Sequence, residues 1–382
     1  MLTLIDGNSL LFRAYYGVRA RLSRADGTPT GAVYGFYTMI LPVLAAAKPD
    51  DVFACVFDAS RTTFRNDIYP EYKANRQETP PELLAQMELV RDAVRSMGMP
   101  VLCIQNVEAD DVIATLAREN CRRHDATRII TSDKDLMQLV SDCVFLYDGM
   151  READVRAPQV LEKFGVRPDQ VVDVQSLMGD SSDNVPGVPG IGPKKAAELI
   201  NQFGTLDALY ANIGDVKNDR IRQLLIDNED KARISKQLVS LKDDVDLGGL
   251  ALTPFRFDKV AALAFVKNKI ESDSLAARIE KLFQGESHSP QDVPQHAPIS
   301  EPTYKTILSE QDLDDFLQTV GEVLAIDTET TGLNQMEDRL VGISLAADSK
   351  TGVYIPLRHA TRPDNLFEAE QCILFAVGNK CQ

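Results

Sequence analysis

Short apolar runs alternate with helical periods over the first 150 residues. LTLID at 2–6, VFACVFD at 52–58 and TRIITSD at 127–133 are rich in β-branched residues and end in polar ones. Continuous apolar runs of this kind belong to strands buried on both faces of a parallel sheet. Helical periodicity lies between them, over 81–97 and 110–120, and strand–helix alternation predicts an α/β domain. From 158 to 283 the strand pattern fades. Helical periods dominate there, broken by the Gly/Pro-rich loop GDSSDNVPGVPGIGPKK, so the stretch reads as a helical extension of the first domain.

Residues 285–303 (GESHSPQDVPQHAPISEPT) have no periodicity and the Pro, Ser, His and Gln content of a linker. VLAIDTETTGL, RLVGISLAA and GVYIPL then read as three strands of a second domain, 304–382. A chain of 382 residues suits about two or three domains. The longest apolar stretch, 33–47, is interrupted by Thr38 and Pro42 and is too short to span a bilayer. No basic start followed by an apolar run and a cleavage site is present, so the expected compartment is the cytoplasm and no membrane partner is expected.

Charge complicates the choice of partner. The formal net charge is −16, which opposes nucleic-acid binding, because phosphate affinity comes mainly from Lys and Arg. Acids that bind metal are neutralised by it, however, and Arg61, Arg65, Lys73 and Arg76 fall in one short segment. The overall sign therefore decides little. The six cysteines (55, 103, 121, 143, 372 and 381) are scattered without a CxxC pair and are expected to be buried, reduced thiols. Four histidines, none near a cysteine pair, offer no zinc site.

The acids carry the chemistry. The three strand patterns end at Asp6, Asp58 and Asp133, and ligands of open parallel sheets bind at the carboxyl ends of strands. Glu108, Asp110 and Asp111 (EADD) precede a helical run, Asp135 follows Asp133, and Asp180 and Asp183 are three apart, which would put them on one face of a helix. A single acid at a helix start is explained by capping, but repeated strand-end acids are not. Crowded carboxylates need cations, and magnesium or manganese prefers oxygen ligands. Two such ions about 4 Å apart can promote phosphodiester hydrolysis.

IDGNSLLFRAYY, DASRTTFR, EYKANR, VEADDVIATLA, TSDKDLMQLV and MGDSSDNVPGVPGIGPKKAAELI together resemble, in order over about residues 1–285, the 5′–3′ exonuclease (flap endonuclease) domain of bacterial DNA polymerases of the first type. The resemblance implies a PIN/FEN-like domain with a mostly parallel sheet (1–165) and a helical DNA-binding region with a helix–three-turn–helix (166–284). It implies one metal at Asp6, Asp58, Glu108, Asp110 and Asp111, and a second at Asp133, Asp135, Asp180 and Asp183. A helical arch over about 67–81 would thread a 5′ flap. Lys73, Arg76 and Arg13 would meet the scissile phosphate, Tyr72 would stack on a base, and Arg61 and Arg65 would add to the DNA contact. Gly187, Gly190, Gly192, Lys194 and Lys195 would grip the duplex, with a potassium-like monovalent cation bound there. The implied substrates are 5′ flaps, nicks, branched junctions and RNA primers on DNA, with no obligate protein partner.

AIDTETTGL resembles the first motif of the 3′–5′ exonuclease of the same polymerases, an RNase H-like α/β fold, with Asp327 and Glu329 as its acids. The further acidic motifs of that site do not follow: Tyr354 is followed four residues later by Arg358, and Asn365 by Ala369. Neither proofreading nor polymerase activity is expected, and whether the chain is a natural short protein or part of a longer polymerase stays open. Two rival readings remain: a branched-DNA-binding fragment with weak catalysis, and a small PIN-type ribonuclease.

Overall fold

The computed structural model describes residues 1–18, 22–149, 153–283, 303–307, 309–321, 324–330, 339–347 and 351–357. The chain divides into two compact units, Met1–Glu286 and Ser287–Gln382. The predicted linker lies almost wholly outside the described residues, as does everything after residue 357.

The first unit is built on a six-stranded sheet. Its strands are β1 (Leu2–Asp6), β2 (Val52–Val56), β3 (Val101–Leu102), β4 (Thr127–Ile130), β5 (Val144–Asp148) and β6 (Ala153–Val155), in the order β3-β2-β1-β4-β5-β6. All pairs are parallel except β5 with β6. The chain builds outward from β1 through β2 and β3, then crosses back to place β4 on the other side of β1. The strand order thus reverses at β1, and the crevice at the carboxyl ends of β2, β1 and β4 is where such sheets bind ligands. Asp6 is the last residue of β1 and pairs in register with Val56. The three runs whose Asp-terminated pattern suggested convergence are therefore adjacent strands.

Every residue of β1 is buried, because both faces of the sheet are covered. Side chains alternate along a strand. Leu2, Leu4, Ala54, Val56 and Ile129 pack on one face against the helix Ala109–Arg122 and the helices Val171–Met178 and Pro193–Phe203. Ile5, Phe53, Cys55 and Ile130 face the other way, toward Gly7–Gly17, Gly31–Ala45 and Pro81–Ser96. The last helices, Lys259–Phe265 and Asp273–Leu282, return to that second layer through Ala262, Leu275 and Ile279. The helical extension predicted for 158–283 is present, but its end is built into the core of the first domain.

One sequence expectation fails here. Cys121 and Cys143 are joined in a disulfide with their Cα atoms 5.7 Å apart. The helix carrying Cys121 runs back beside β4, and β5 starts next to it, so residues 22 apart in sequence meet. Cys55 is buried and free, Cys103 half-buried and free, and Cys372 and Cys381 lie outside the described residues.

The second unit contains a four-stranded sheet, β7 (Thr303–Thr306), β8 (Ala325–Thr330), β9 (Leu340–Ala346) and β10 (Thr351–Pro356), ordered β7-β10-β9-β8. A helix, Glu310–Gln318, accompanies it. The three predicted strands are β8 to β10, and β7 is additional. Its small core gathers Ile307, Phe316, Leu345, Val353, Ile355 and Leu357. Asp327 lies on the edge strand β8 and is exposed. Glu329 is on the same strand, but its side chain is outside the description.

Candidate active site

Eight of the nine predicted acids line one cavity of about 710 Å³ at the carboxyl edge of the first sheet: Asp6, Asp58, Glu108, Asp110, Asp133, Asp135, Asp180 and Asp183. Arg13, Lys73, Arg76 and Lys134 line it too. Each acid is placed by backbone. Asp6 ends β1 and also caps the next helix, taking a 2.9 Å hydrogen bond from the Ser9 N–H through Oδ1, while its Oδ2 accepts from the Thr131 hydroxyl at 2.7 Å. Capping and strand-end placement are thus combined in one residue. Asp58 accepts from the Ala109 N–H at 2.7 Å and from the Asn8 amide. This ties the end of β2 to the start of the helix that bears Glu108 and Asp110.

The second group is held by turns. Asp133 Oδ1 accepts from the Asp135 N–H at 2.9 Å, and Asp135 accepts from Gln175 Nε2 at 2.5 Å. Asp180 and Asp183 were expected one helical turn apart. They lie instead on a tight loop after the helix Val171–Met178, closed by reciprocal backbone hydrogen bonds between Asp180 and Val185. The Gly/Pro-rich sequence that follows ends the helix at Gly179, whose φ of 70° combined with ψ of −177° suits glycine alone.

The electrostatics follow from crowding in a low-dielectric crevice. Burial pushes the Asp6 carboxyl up to about 7, and Asp133 and Asp58 add to this. Burial and Asp133 push Asp135 up to about 7. Asp58 and Asp133 are raised by burial, and Asp110 is raised strongly by burial and by its acidic neighbours. Asp180 goes the other way: burial would raise it, but Lys134 Nζ, 2.6 Å away, outweighs that and lowers it. Lys73 Nζ sits 2.8 Å from Glu108 and 3.5 Å from Asp183, and Arg76 also pairs with Asp183. Among the described residues no three acid, histidine or cysteine side chains form a ready-made metal cage. The cations of this segment stand among the acids and screen them from one another.

The donors fit a hard divalent cation. They are eight carboxylates, with the Asn8 amide and the Ser9, Ser132 and Ser182 hydroxyls beside them, an oxygen set of the kind preferred by magnesium and manganese. Several are buried at the cost of a raised proton affinity. Asn8 Oδ1 beside them is buried without a hydrogen-bond partner among the described residues.

Several predicted site residues are placed differently. Asp111 is fully buried and does not line the cavity. Its oxygens accept from Arg65 Nη1 at 2.7 Å and Nη2 at 2.8 Å, from the Lys242 N–H at 2.8 Å and from the Glu108 N–H at 3.0 Å. These four donors use up its acceptor capacity, so it does not face a metal. Arg65, 1% exposed, is likewise withdrawn from DNA. Tyr72 is buried against Val185, Leu238 and Val239 rather than presented to a base. The 67–81 segment is not a helical arch. The helix Phe64–Ile68 ends at Tyr69, turns follow to 76, and the next helix starts at Pro81. Pro70, Pro80 and Pro81 do not allow a continuous helix, and Lys73 itself takes φ 57°.

At the glycine-rich loop, the Gly187 N–H is given to Ser235 Oγ at 2.9 Å and is unavailable to a phosphate. Gly190, Gly192 and Lys194 are exposed before and at the start of the helix Pro193–Phe203, and Lys195 pairs with Glu198. Arg61 is exposed and donates to the Gln77 carbonyl at 2.9 Å. Arg13 lines the cavity and pairs with Asp148 at 3.4 Å. Asn8, Thr131 and Lys134 were missed from sequence. Only Lys134 carried a signal there, as the cation inside the acidic TSDKD run.

No described helix is long and apolar enough to cross a membrane. Family descriptions match in order along the chain: "5'-3' exonuclease, N-terminal resolvase-like domain" over residues 1–165, "5'-3' exonuclease, C-terminal SAM fold" over 166–261, and "3'-5' exonuclease" over 304–377. DNA polymerase I of Rhizobium leguminosarum is 42% identical over 288 residues, covering 73% of this chain and 28% of that protein. DNA polymerase I of Pseudomonas aeruginosa is 36% identical over 370 residues, covering 94% of this chain and 40% of that protein. The chain spans well under half the length of these relatives. Among solved structures, the phage T5 D15 protein co-crystallised with metal ions shares the fold at 22% identity with a TM-score of 0.53, over 74% of this chain and 99% of that one. The catalytic core of Rad2 in complex with a DNA substrate shares it at 18% identity with a TM-score of 0.51, over 75% of this chain and 92% of that one. The adjacent strand-end acids and the matched domains in their order place this chain in the 5′–3′ exonuclease family of DNA polymerase I.

Proposed function

We propose that the chain is a structure-specific, metal-dependent nuclease that hydrolyses DNA at 5′ flaps, nicks and branched junctions, RNA primers on DNA included. It would serve Okazaki fragment processing and excision repair in the cytoplasm. The observation that carries this reading is the gathering of eight carboxylates, several with raised proton affinity, at the reversal point of the sheet. Asp6, Asp58, Glu108 and Asp110 would hold one magnesium or manganese ion, and Asp133, Asp135, Asp180 and Asp183 the other. Bound there, the pair supplies Lewis-acid activation of water and of the phosphodiester. The T5 D15 protein, crystallised with metal ions, and the Rad2 core, crystallised with DNA, support this for a shared fold.

The chain's own cations have a defined part. Lys73 and Arg76, paired with Glu108 and Asp183, would turn to the phosphoryl oxygens once cations neutralise those acids, with Arg13 beside them. The helix Pro193–Phe203 has no side-chain cap at Gly192. Its free N–H groups and Lys194 would hold a duplex phosphate, and a potassium-like ion would fit the adjacent turn. Arg61 is placed for an outer phosphate.

Asp110→Ala, tested on a 5′-labelled flap with magnesium, should lower cleavage by on the order of 100-fold or more. Cleavage near the wild-type rate would refute the site assignment. Flap binding in calcium without wild-type cleavage in magnesium would favour a binding module instead.

A further inference from the structure

Arg65 and Asp111 form a buried ion pair at a junction of three segments. Arg65 is 1% exposed and Asp111 0%. The guanidinium meets the carboxylate as a fork, with two parallel hydrogen bonds of 2.7 and 2.8 Å. Arg65 Nε donates to the Leu238 carbonyl at 2.8 Å and Nη2 to that of Ser240 at 3.2 Å. Asp111 accepts from the N–H groups of Lys242 and Glu108. The pair therefore fixes the short helix Phe64–Ile68, the start of the helix Ala109–Arg122 and the end of the helix Glu229–Val239 against one another. Glu108 and Asp110 directly precede Asp111 on the middle segment, and Lys73 and Arg76 follow on the first.

A buried ion pair is a weak source of stability, since apolar groups of similar size often do as well. What the fork supplies is a fixed angle. Bidentate Arg–carboxylate contact sets both orientation and distance, and Asp111 lies one residue, about 100° of helix rotation, from Asp110. We infer that Arg65 and Asp111 are a positioning pair: they set the rotation of the helix start that aims Glu108 and Asp110 into the cavity, and they bind neither metal nor DNA. The inference rests on the metal-dependent reading above.

The test uses the full chain, stripped of metal and titrated with Mn²⁺ by calorimetry, with thermal unfolding as a check on the fold. Two variants are compared: Arg65→Lys, which keeps the charge and loses the fork, and the double variant Arg65→Met/Asp111→Leu, which replaces the pair with apolar groups. Both should bind as many ions as the wild type with affinity weakened about 10–100-fold, and the folded double variant should show a lowered kcat on flap DNA with little change in KM. Wild-type Mn²⁺ affinity in Arg65→Lys would overturn the inference, because neutralising charge would then suffice. A lost ion in a folded double variant would overturn it too, since Asp111 would then be a ligand. If the double variant does not fold, Arg65→Lys alone decides. Absence of Mn²⁺ binding by the wild type would refute the metal-dependent reading itself.

Discussion

Removing divalent cations should make this protein less stable as the pH rises through neutrality, which is the reverse of ordinary acid denaturation. Asp6 and Asp135 each have a folded-state pKa of about 7 against an ordinary value of 3.8. Asp58, Asp110 and Asp133 are raised in the same direction. The folded chain therefore keeps protons that the unfolded chain gives up, and stability falls as pH climbs from the ordinary carboxylate range to the folded pKa. One carboxyl shifted to about 7 contributes a loss of about 2.6 kcal/mol between about pH 5 and pH 8. Carboxyls that are lowered, such as Asp180, are ionised in both states throughout that window and add no slope. Urea unfolding in EDTA across this range, followed by circular dichroism, measures the effect. Magnesium held by these acids would take the place of the protons, so its addition should flatten or reverse the slope. Metal-free stability that is level or rises from pH 5 to pH 8 would refute the placement of these acids in a shared, buried cluster.

Other changes probe separate parts of the structure. Reducing the Cys121–Cys143 bond, which spans 22 residues, should cost about 3 kcal/mol of unfolding free energy, and Cys121→Ser should cost the same while abolishing sensitivity to reductant. Gly187→Ala puts a side chain at φ 58° against the Gly179 backbone, so a loss of at least about 1–3 kcal/mol is expected in the same unfolding assay. Lys134→Met removes the 2.6 Å partner of Asp180. Lys134 is about one-third exposed, so the metal-free protein should lose only about 1 kcal/mol, and saturating magnesium should shrink the difference.

What the sequence revealed and what it hid divide along physical lines. Asp6, Asp58 and Asp133 were legible because a strand buried on both faces writes its burial into consecutive β-branched residues, and the residue that ends the run is then at the sheet's edge. Adjacency of three such edges needs only the crossover order of a parallel sheet. Asp111 was not separable from Asp110 by the same means. Neighbours on a helix differ by about 100° of rotation, and which of the two faces the crevice is settled by Arg65 and by Leu238, Ser240 and Lys242, the last of them 131 positions from Asp111 in sequence. Arg65 and Tyr72 were misjudged for a related reason. A run of basic and aromatic residues looks like a solvated binding segment whether or not a distant helix end covers it, and here the end of Glu229–Val239 does.

The cations around the cavity matter more than the net charge of −16 suggests. Lys73, Arg76 and Lys134 each contact an acid of the cavity. Burial and acidic neighbours raise Asp110, Asp133 and Asp135, and Lys73, Arg76 and Lys134 respectively offset part of that rise. A side chain able to neutralise Glu108 or Asp183 is equally able to neutralise a phosphate, and under the proposed function Lys73 and Arg76 would be free for that use once a divalent cation held those acids. Local placement of a few positive groups within an acidic protein would therefore reconcile an overall charge that repels DNA with the proposed action on it, because phosphate affinity depends on the contacts made rather than on the sum over the chain.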